Sequence, residues 1–451
     1  MEKERYKIEI PPAAARILRV LEENGFEAYV VGGCVRDSLL GRAPHDWDIT
    51  TSALPAAVKA LFPRTIDTGL KHGTVTIPVK GENYEVTTYR VDGEYLDGRH
   101  PSTVTFTASL KEDLQRRDFT INAMAYSGKD GLQDFFGGLE DLENGLIRAV
   151  GDPAKRFGED ALRILRAVRF AAQLGYEVEE DTVRAMKDLA PTLAKISAER
   201  IAAELEKLLV SPHPEKLRMA AECGITAVIL PEFDRCMEME QHNPHHMYSV
   251  GEHTIHALMN VRPDRILRWA MLLHDFGKPS CLTTDDEGID HFYGHQEASA
   301  ALANAILRRL KMDNDTRRSV VKLVRFHDRD IRLTKTAVRR AVVEIGEALF
   351  PLFMEVRQAD ILAQSGFKRE EKLAYLASLR TLYDRILEER DCLSLRDLAV
   401  HGNDLITAGM EPGREIGRLL EEMLQDVICE PSHNDRAYLM ETYVYRRNRN
   451  G

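Results

Sequence analysis

Two stretches hold most of the residues that could do chemistry. In HDWDIT (45–50), Asp46 and Asp48 stand two apart. Read as the start of a β-strand, this spacing puts both carboxylates on one face. Trp47 and His45 fall on the other, with Trp47 toward the core. Two carboxylates on one face repel unless a cation lies between them. Magnesium suits such a pair, because it takes oxygen ligands and is usually held by one or two carboxylates plus substrate phosphates. The competing reading is an acidic strand end facing solvent. Just upstream, VVGGCVRD (30–37) sets Gly32 and Gly33 between a strand and a helix start. Exposed N–H groups at such a turn can cradle phosphate, although Gly-Gly also suits a tight turn. Arg36 could pair with a phosphate oxygen. Cradle, arginine and paired carboxylates together describe a nucleotidyl-transfer site that uses two metals.

The second stretch is rich in imidazole. His253 in GEHTIHAL, His274 and Asp275 in LLHDFGKP, His295 in FYGHQEAS, His327 in VRFHDRD and Asp360 in RQADILAQ follow one another through helical sequence. Imidazole with carboxylate suits first-row divalent metals such as Mn, Fe, Co, Ni or Zn. A lone histidine is more often a surface or satisfied core residue; six ligand types in series are a different matter.

Elements must position these groups. PAAARILRVLEENGF (12–26) has helical periodicity, and EAYVVGG (27–33) reads as a short buried strand. CVRDSLLG (34–41) is a short helix, and further strands are expected at 64–68, 73–80 and 83–90. YRVDGEYLDGRHP (89–101) reads as a loop. RFGEDALRILRAVRFAAQLGY (156–176) is expected as one long amphipathic helix. It carries Asp160, Arg163, Arg166 and Arg169 every three residues, on slowly drifting sides. The plain reading of that stripe is a solvated charged face. ISAERIAAELEKLLV (196–210) is a helix with Ser197 as N-cap and Arg200 in place of the usual capping-box Glu.

These motifs, in this order, resemble the class II tRNA nucleotidyltransferases, the CCA-adding enzymes and their poly(A) polymerase relatives. The resemblance rests on GGCVRD, HDWDIT, RRDFTINAMAY (116–126), EDALRILRAVRFAAQLGY (159–176) and ISAERIAAELEKLL (196–209). It implies an α+β chain: a small β-polymerase-like head, then an all-helical neck, body and tail. The corresponding ranges are 1–150, 151–212, 213–390 and 391–451. Asp46 and Asp48 would hold catalytic Mg2+. Gly33 and Arg36 would contact the triphosphate, and Arg117 and Asp118 would bind phosphate and ribose. Asn122 would support that site or serve as a capping or core-polar residue. Asp160 and Arg163 would read the base. A carboxylate accepts from the exocyclic amine of cytosine or adenine, and arginine donates to the neighbouring ring acceptor. Uracil and guanine reverse that pattern. Arg166 and Arg169 would serve phosphates or stacking.

The histidine-rich stretch resembles the HD phosphohydrolase superfamily, whose order H…HD…H…H…D is complete here. By resemblance His253, His274, Asp275 and Asp360 form one metal site. His295 and His327 would bind a second metal or substrate phosphate. His242, His245, His246 and His256 lie off the pattern and are read as non-ligands. Phosphatase or 2′,3′-cyclic phosphodiesterase activity would follow, as repair of RNA ends that lack a free 3′-hydroxyl. The alternative is a domain kept for tRNA contact.

The chain has 451 residues, 44% hydrophobic and 29% charged, which fits a globular protein of about two to four domains. No apolar run approaches the roughly 20 residues of a membrane span. The charged N-terminus shows no secretory pattern, so the chain reads as cytoplasmic. Six cysteines without a CxxC pair suggest neither disulfides nor a zinc knuckle. The net charge of −11 weighs weakly against nucleic acid, but local basic patches such as the closing YVYRRNRNG decide that question. Expected partners are a tRNA 3′ end, CTP and ATP; oligomeric state is not legible. The 89–101 loop resembles one missing from CC-adding relatives, which argues against a CC-only enzyme. Two other readings are an A-adding enzyme or poly(A) polymerase of the same fold, and an RNA-binding hydrolase with a vestigial head.

Overall fold

The computed structural model describes residues 6–93 and 103–446. They form two compact units, residues 1–231 and 232–451. Most of the loop expected at 89–101 and most of the closing arginine run lie outside the described residues.

The first unit is built on a seven-stranded sheet. Its strands are β1 (Ala28–Val31), β2 (Ile49–Thr51), β3 (Ile66–Gly69), β4 (Thr74–Val79), β5 (Glu82–Thr88), β8 (Met124–Ser127) and β9 (Gly131–Asp134). β6 (Arg90–Asp92) and β7 (Val104–Phe106) form a separate two-stranded ribbon. The spatial order is β3-β4-β5-β2-β1-β8-β9. β2 and β5 pair in parallel, and the other neighbours are antiparallel. The β4–β5 hairpin turns on Lys80 and Gly81, both at positive φ, as a two-residue type I′ turn requires. The expected strands are thus present, with ends shifted by a residue or two. Two readings are corrected: residues 90–92 of the expected loop form β6, and HDWDIT does not yet begin a strand at its aspartates. β2 begins only at Ile49, so Asp46 and Asp48 lie in the extended segment that feeds it. One ladder bond still reaches back, from Val31 N to Asp48 O at 3.0 Å. Trp47 is half-buried rather than in the core, because sheet pairing has barely started there.

Helices α1 (Pro12–Glu23), α2 (Gly33–Leu39), α3 (Pro55–Leu61), α4 (Leu110–Gln115) and α5 (Gly138–Glu143) complete this part of the unit. The long helix expected over 156–176 is two: α6 (Pro153–Glu159) and α7 (Leu162–Leu174). Asp160 sits at the break, in extended backbone. α7 buries Ile164, Leu165, Val168, Ala171 and Ala172 and packs against α9 (Ala198–Leu209), which follows α8 (Glu180–Leu189). Ser197 does precede α9, but its side chain makes no capping bond. Two-residue strands β10 (Leu146–Ile147) and β11 (Glu177–Val178) tie the neck sequence to the head. Short helices α10 (Leu217–Glu222) and α11 (Ile225–Ile229) end the unit.

The second unit is helical. α12 (Pro231–Met237), α13 (Val250–Met259), α14 (Arg265–Leu273), α15 (Lys278–Cys281), α16 (His295–Arg309), α17 (Asn314–Phe326), α18 (Lys335–Ile345), α19 (Phe350–Ala363) and α20 (Arg369–Glu388) make its larger part. Among the described residues, two short stretches depart from the all-helical reading of neck, body and tail: β11 in the neck, and here a hairpin of β12 (Thr283–Thr284) and β13 (Asp290–His291). Residues between 392 and 444, with helix Arg414–Cys429, pack round a core including Leu405, Leu419, Met423, Val427 and Leu439. All six cysteines are free. No helix among the described residues is long and apolar enough to cross a membrane.

Candidate functional site

In the first unit, the turn after β1 carries Gly32 at φ +82°. A Cβ there would lie 2.9 Å from Arg117 Nη1. Glycine is thus required both by the backbone and by the guanidinium that rests on the turn. Gly33 opens α2. Arg117 also acts on Asp48: burial raises the Asp48 pKa, the Arg117 charge lowers it, and Asp46 raises it again, for a net rise. The carboxyl of Asp48 therefore feels both its twin and a cation. Sequence reading missed a third carboxylate. The parallel register Ile49↔Val86 sets Glu85 alongside Asp48. Burial, then the charges of Asp48 and Asp46, push the Glu85 pKa up. Only the strand pairing reveals it, since no local signal marks Glu85. Oxygen donors that repel one another suit Mg2+; Asp46, Asp48 and Glu85 keep accessible surface but do not converge as a group of three ligand atoms within 4.8 Å.

Behind this cluster lies a buried polar chain. Arg36 donates from Nη1 to Asn122 Oδ1 at 2.6 Å and pairs with Asp37 at 2.8 Å. Asn122 Nδ2 donates to Asp118 Oδ1 at 3.2 Å, and Arg166 donates to Asp118 Oδ2 through Nε at 2.9 Å and Nη2 at 2.6 Å. Burial alone would raise the Asp118 pKa, but Arg166 holds it well below the usual range. Arg169 pairs with Glu204 at 2.6 Å and lies on the Phe170 ring, 3.6 Å from its centroid. Arg36 and Arg166 flank the same ring at 5.1 and 5.3 Å. Asn122 is thus a connector between Arg36 and Asp118, and Arg169 is held by Glu204, by Gln173 Oε1 at 2.8 Å and by the Phe170 ring.

Asp160 and Arg163 are near one another in sequence but do not pair. Asp160 accepts from Leu162 N at 3.1 Å and from Arg200 Nη2 at 2.6 Å. Arg163 donates to Glu159 Oε2 at 2.7 Å, Arg156 O at 3.0 Å and Arg116 O at 2.9 Å. A carboxylate has about four acceptor sites and a guanidinium five donors, so each keeps capacity for a ligand. The break between α6 and α7 is what turns Asp160 off the helix stripe.

The second unit assembles every one of the six expected ligands. His274 and His327 are the C-caps of α14 and α17, Asp275 follows directly, His295 opens α16, and His253 and Asp360 project from α13 and α19. His274, His295 and His327 each turn Nδ1 onto a carbonyl three residues back, at 2.7, 2.8 and 2.6 Å. A carbonyl only accepts, so these Nδ1 atoms carry the hydrogen and each Nε2 offers a lone pair. His253 Nδ1 faces Ala363 O at 3.4 Å. The Nε2 atoms then meet: His253 and His274 at 3.3 Å, His295 and His327 at 3.3 Å. Asp275 stands between the pairs. Its Oδ2 is 3.5 and 3.2 Å from His253 and His274, and its Oδ1 is 3.5 and 3.6 Å from His295 and His327. Asp360 Oδ1 lies 3.0 Å from His253 Nε2. Both Asp275 oxygens are buried without a well-formed hydrogen bond. Lone pairs facing lone pairs in a buried site suit bound cations, and Asp275 reaches both histidine pairs. Two groups of three ligand atoms, His253/His274/Asp275 and Asp275/His295/His327, each converge within 4.8 Å. Gly277 is needed beside them, because a Cβ would lie 2.6 Å from His295 O. His242, His245, His246 and His256 are in neither group. His246 is nonetheless close, its ring 5.2 Å from that of His253.

Comparison with known proteins matches both halves of the chain to polymerase and tRNA nucleotidyltransferase domains. Residues 28–148 match the Poly A polymerase head domain, residues 175–237 the "Probable RNA and SrmB- binding site of polymerase A", and residues 282–443 domain 2 of tRNA nucleotidyltransferases. The CCA-adding enzyme of Leuconostoc mesenteroides is 38% identical over 436 residues, covering 94% of both chains. That of Limosilactobacillus fermentum is 38% identical over 440 residues, covering 96% of this chain and 98% of its own. The crystal structure of the Bacillus stearothermophilus CCA-adding enzyme in complex with CTP superposes with TM-score 0.70 at 31% identity, covering 98% of this chain and all of that one. The Thermotoga maritima enzyme complexed with tRNA shares the fold, with TM-score 0.56 at 23% identity and coverage of 97% and 96%. A β-sheet head followed by helices, with this identity over nearly the whole length, places the chain in the family of class II CCA-adding enzymes, the tRNA nucleotidyltransferases.

Proposed function

We propose that this protein adds CCA to the 3′ end of tRNA from CTP and ATP without a nucleic-acid template. The observation that carries the proposal is the pair Asp46 and Asp48, within electrostatic reach of Glu85 and of the Arg117 that rests on the glycine turn, in a chain of this family. Asp46 and Asp48 would hold the divalent metal, Mg2+ in our reading. When bound, it lowers the pKa of the attacking hydroxyl and neutralises the phosphates. The 3′-hydroxyl oxygen of the tRNA bonds to the α-phosphorus, its proton leaves, and the bond to the β-phosphate breaks to release pyrophosphate. Gly33 backbone, Arg36 and Arg117 would hold the triphosphate. The chain Arg36–Asn122–Asp118–Arg166 fixes those groups before substrate arrives, so little reorganisation accompanies reaction. Asp160 and Arg163 would accept C and A and reject U and G.

In the second unit we read a metal-dependent hydrolase for phosphorylated or 2′,3′-cyclic RNA ends. His253, His274, Asp275 and Asp360 would hold one Mn, Fe, Co, Ni or Zn ion, and His295 and His327 a second, with Asp275 between them. Bound metal there would polarise the phosphoryl oxygen. Water bonds to phosphorus, one ribose P–O bond breaks, and a hydroxyl is restored. Lys278 Nζ, 2.8 Å from Asp275 Oδ2, balances the Asp275 carboxylate.

The deciding experiment incubates tRNA lacking CCA with CTP and ATP and sequences the product end. We expect CCA, extension by CTP alone as far as CC, and loss of about 1,000-fold or more in rate with Asp46→Ala. Extension by ATP alone without any response to CTP would instead indicate an A-adding enzyme.

A further inference from the structure

Two pockets adjoin at the His/Asp centre. One part, about 280 Å³, reaches Tyr293. Another, about 500 Å³, reaches Lys368 and Lys372. Asn243, His246, Asp328, Asp360 and Gln364 line both parts, so the two adjoin beside the centre and are together termed the groove.

The two ends differ in chemistry. Tyr293 is 77% exposed although aromatic, and it stands two residues before His295. Its ring lies parallel to His291, with planes 9° apart and centroids 5.4 Å apart. His291 is itself fixed by Asp285 at 2.7 Å, across the β12–β13 hairpin. A ring held from behind presents a preset flat face, and a base stacking on it orders little that was loose. At the other end Lys372 Nζ is held by Gln364 and by His245 Nδ1 at 3.0 Å. Lys368 stands over Phe367 at 5.6 Å. The acids on that wall are largely spoken for: Asp328 and Asp330 both accept from Arg357, while Glu371 also lines the groove. A flat ring, a phosphate-ester centre and ammonium groups in succession match the base, terminal phosphate and upstream phosphate of a nucleic-acid strand.

We propose that this groove seats the last two nucleotides of an RNA 3′ end. Tyr293 stacks the terminal base, the terminal phosphate meets the His/Asp centre, and the preceding phosphate lies by Lys368 and Lys372. The fate of that phosphate rests on the hydrolase reading above; the seating does not. The site thereby distinguishes a nucleotide end from a simple phosphate ester.

The test uses the full chain, with and without Mn2+, in equilibrium dialysis against uridine 3′-monophosphate and the dinucleotide UpUp. Uridine is chosen because the head site is read as rejecting uracil. We expect Tyr293→Ala to weaken binding of both by about fivefold or more, Tyr293→Phe to restore it, and inorganic phosphate to bind equally to all three proteins. UpUp should bind more tightly than the mononucleotide, and Lys368→Asn, which tolerates the left-handed backbone there (φ +53°), should remove that gain. Equal binding by wild type and Tyr293→Ala, or a parallel loss for inorganic phosphate, overturns the proposal. So does failure of the wild type to bind UpUp. If binding behaves as expected but Mn2+, Co2+ and Ni2+ all fail to support hydrolysis of uridine 2′,3′-cyclic phosphate, the hydrolase reading falls and the seating stands.

Discussion

At the scale of single residues, selectivity should reside in two side chains that do not touch each other. Asp160 is held by Arg200 and Arg163 by Glu159, so both are positioned before any base arrives. A site built to hydrogen-bond discriminates strongly because the wrong ligand leaves buried groups unpaired. Asp160→Ala or Arg163→Ala should therefore cut the preference for C and A over U and G by about 100-fold or more, read as the ratio of kcat/KM values for the four nucleotides. Unchanged selectivity in both variants would remove these residues from base reading. Asp118 makes a different prediction. Its folded pKa lies below the unfolded value of about 3.9, because Arg166 outweighs the cost of burial. The stability it contributes is present above that unfolded value and is lost as pH falls through the folded one. Asp118→Asn should thus lower Tm at pH 7, and the gap from wild type should shrink steadily below pH 4. A gap that stays constant with pH would show that the charge contributes nothing.

Elements set where these residues stand, and here sequence and structure diverge for physical reasons. The sheet strands follow from β-branched runs and turn residues, and β4–β5 follows from the Lys80-Gly81 turn, so the head was legible. The break at Asp160 was not, because the apolar pattern runs through it: Phe157, Ala161, Leu162 and Ile164 are all buried. What holds the break is tertiary, with Arg200 from α9 on Asp160 and Arg163 turned back to the α6 carbonyl of Arg156. Glu85 was hidden for a similar reason, since its place beside Asp48 depends on a parallel pairing between segments distant in sequence. The imidazole ligands were legible as types in order, whereas their C-cap positions and Nδ1 anchors appear only once the helices end where they do. The glycine turn offers an element-scale test. Gly32→Ala places an L-residue at φ +82° and displaces Arg117, at a cost of about 1–3 kcal/mol in backbone strain. We expect a lower Tm and weaker CTP binding together. Wild-type CTP affinity in a destabilised variant would mean that Arg117 does not reach the triphosphate.

For the whole molecule, the two proposed chemistries would belong to different units and different ligand sets. Oxygen donors in the head suit a hard cation that exchanges readily, and buried imidazoles in the second unit suit a transition metal held more firmly. The two activities should then come apart under mutation and under chelation. His274→Ala removes one lone pair from a site where Asp275 already lacks hydrogen bonds, so transition-metal content measured by elemental analysis should fall by at least about half. CCA addition by that variant should match wild type. Asp46→Ala should do the reverse, abolishing addition and leaving metal content unchanged. Protein stripped with a chelator and returned to Mg2+ alone should recover addition in full, while any cleavage of 2′,3′-cyclic ends should return only with Mn2+, Co2+ or Ni2+. If His274→Ala abolished both activities while the fold stayed intact by circular dichroism, the two sites would be coupled and the separation argued from their ligand chemistry would be wrong.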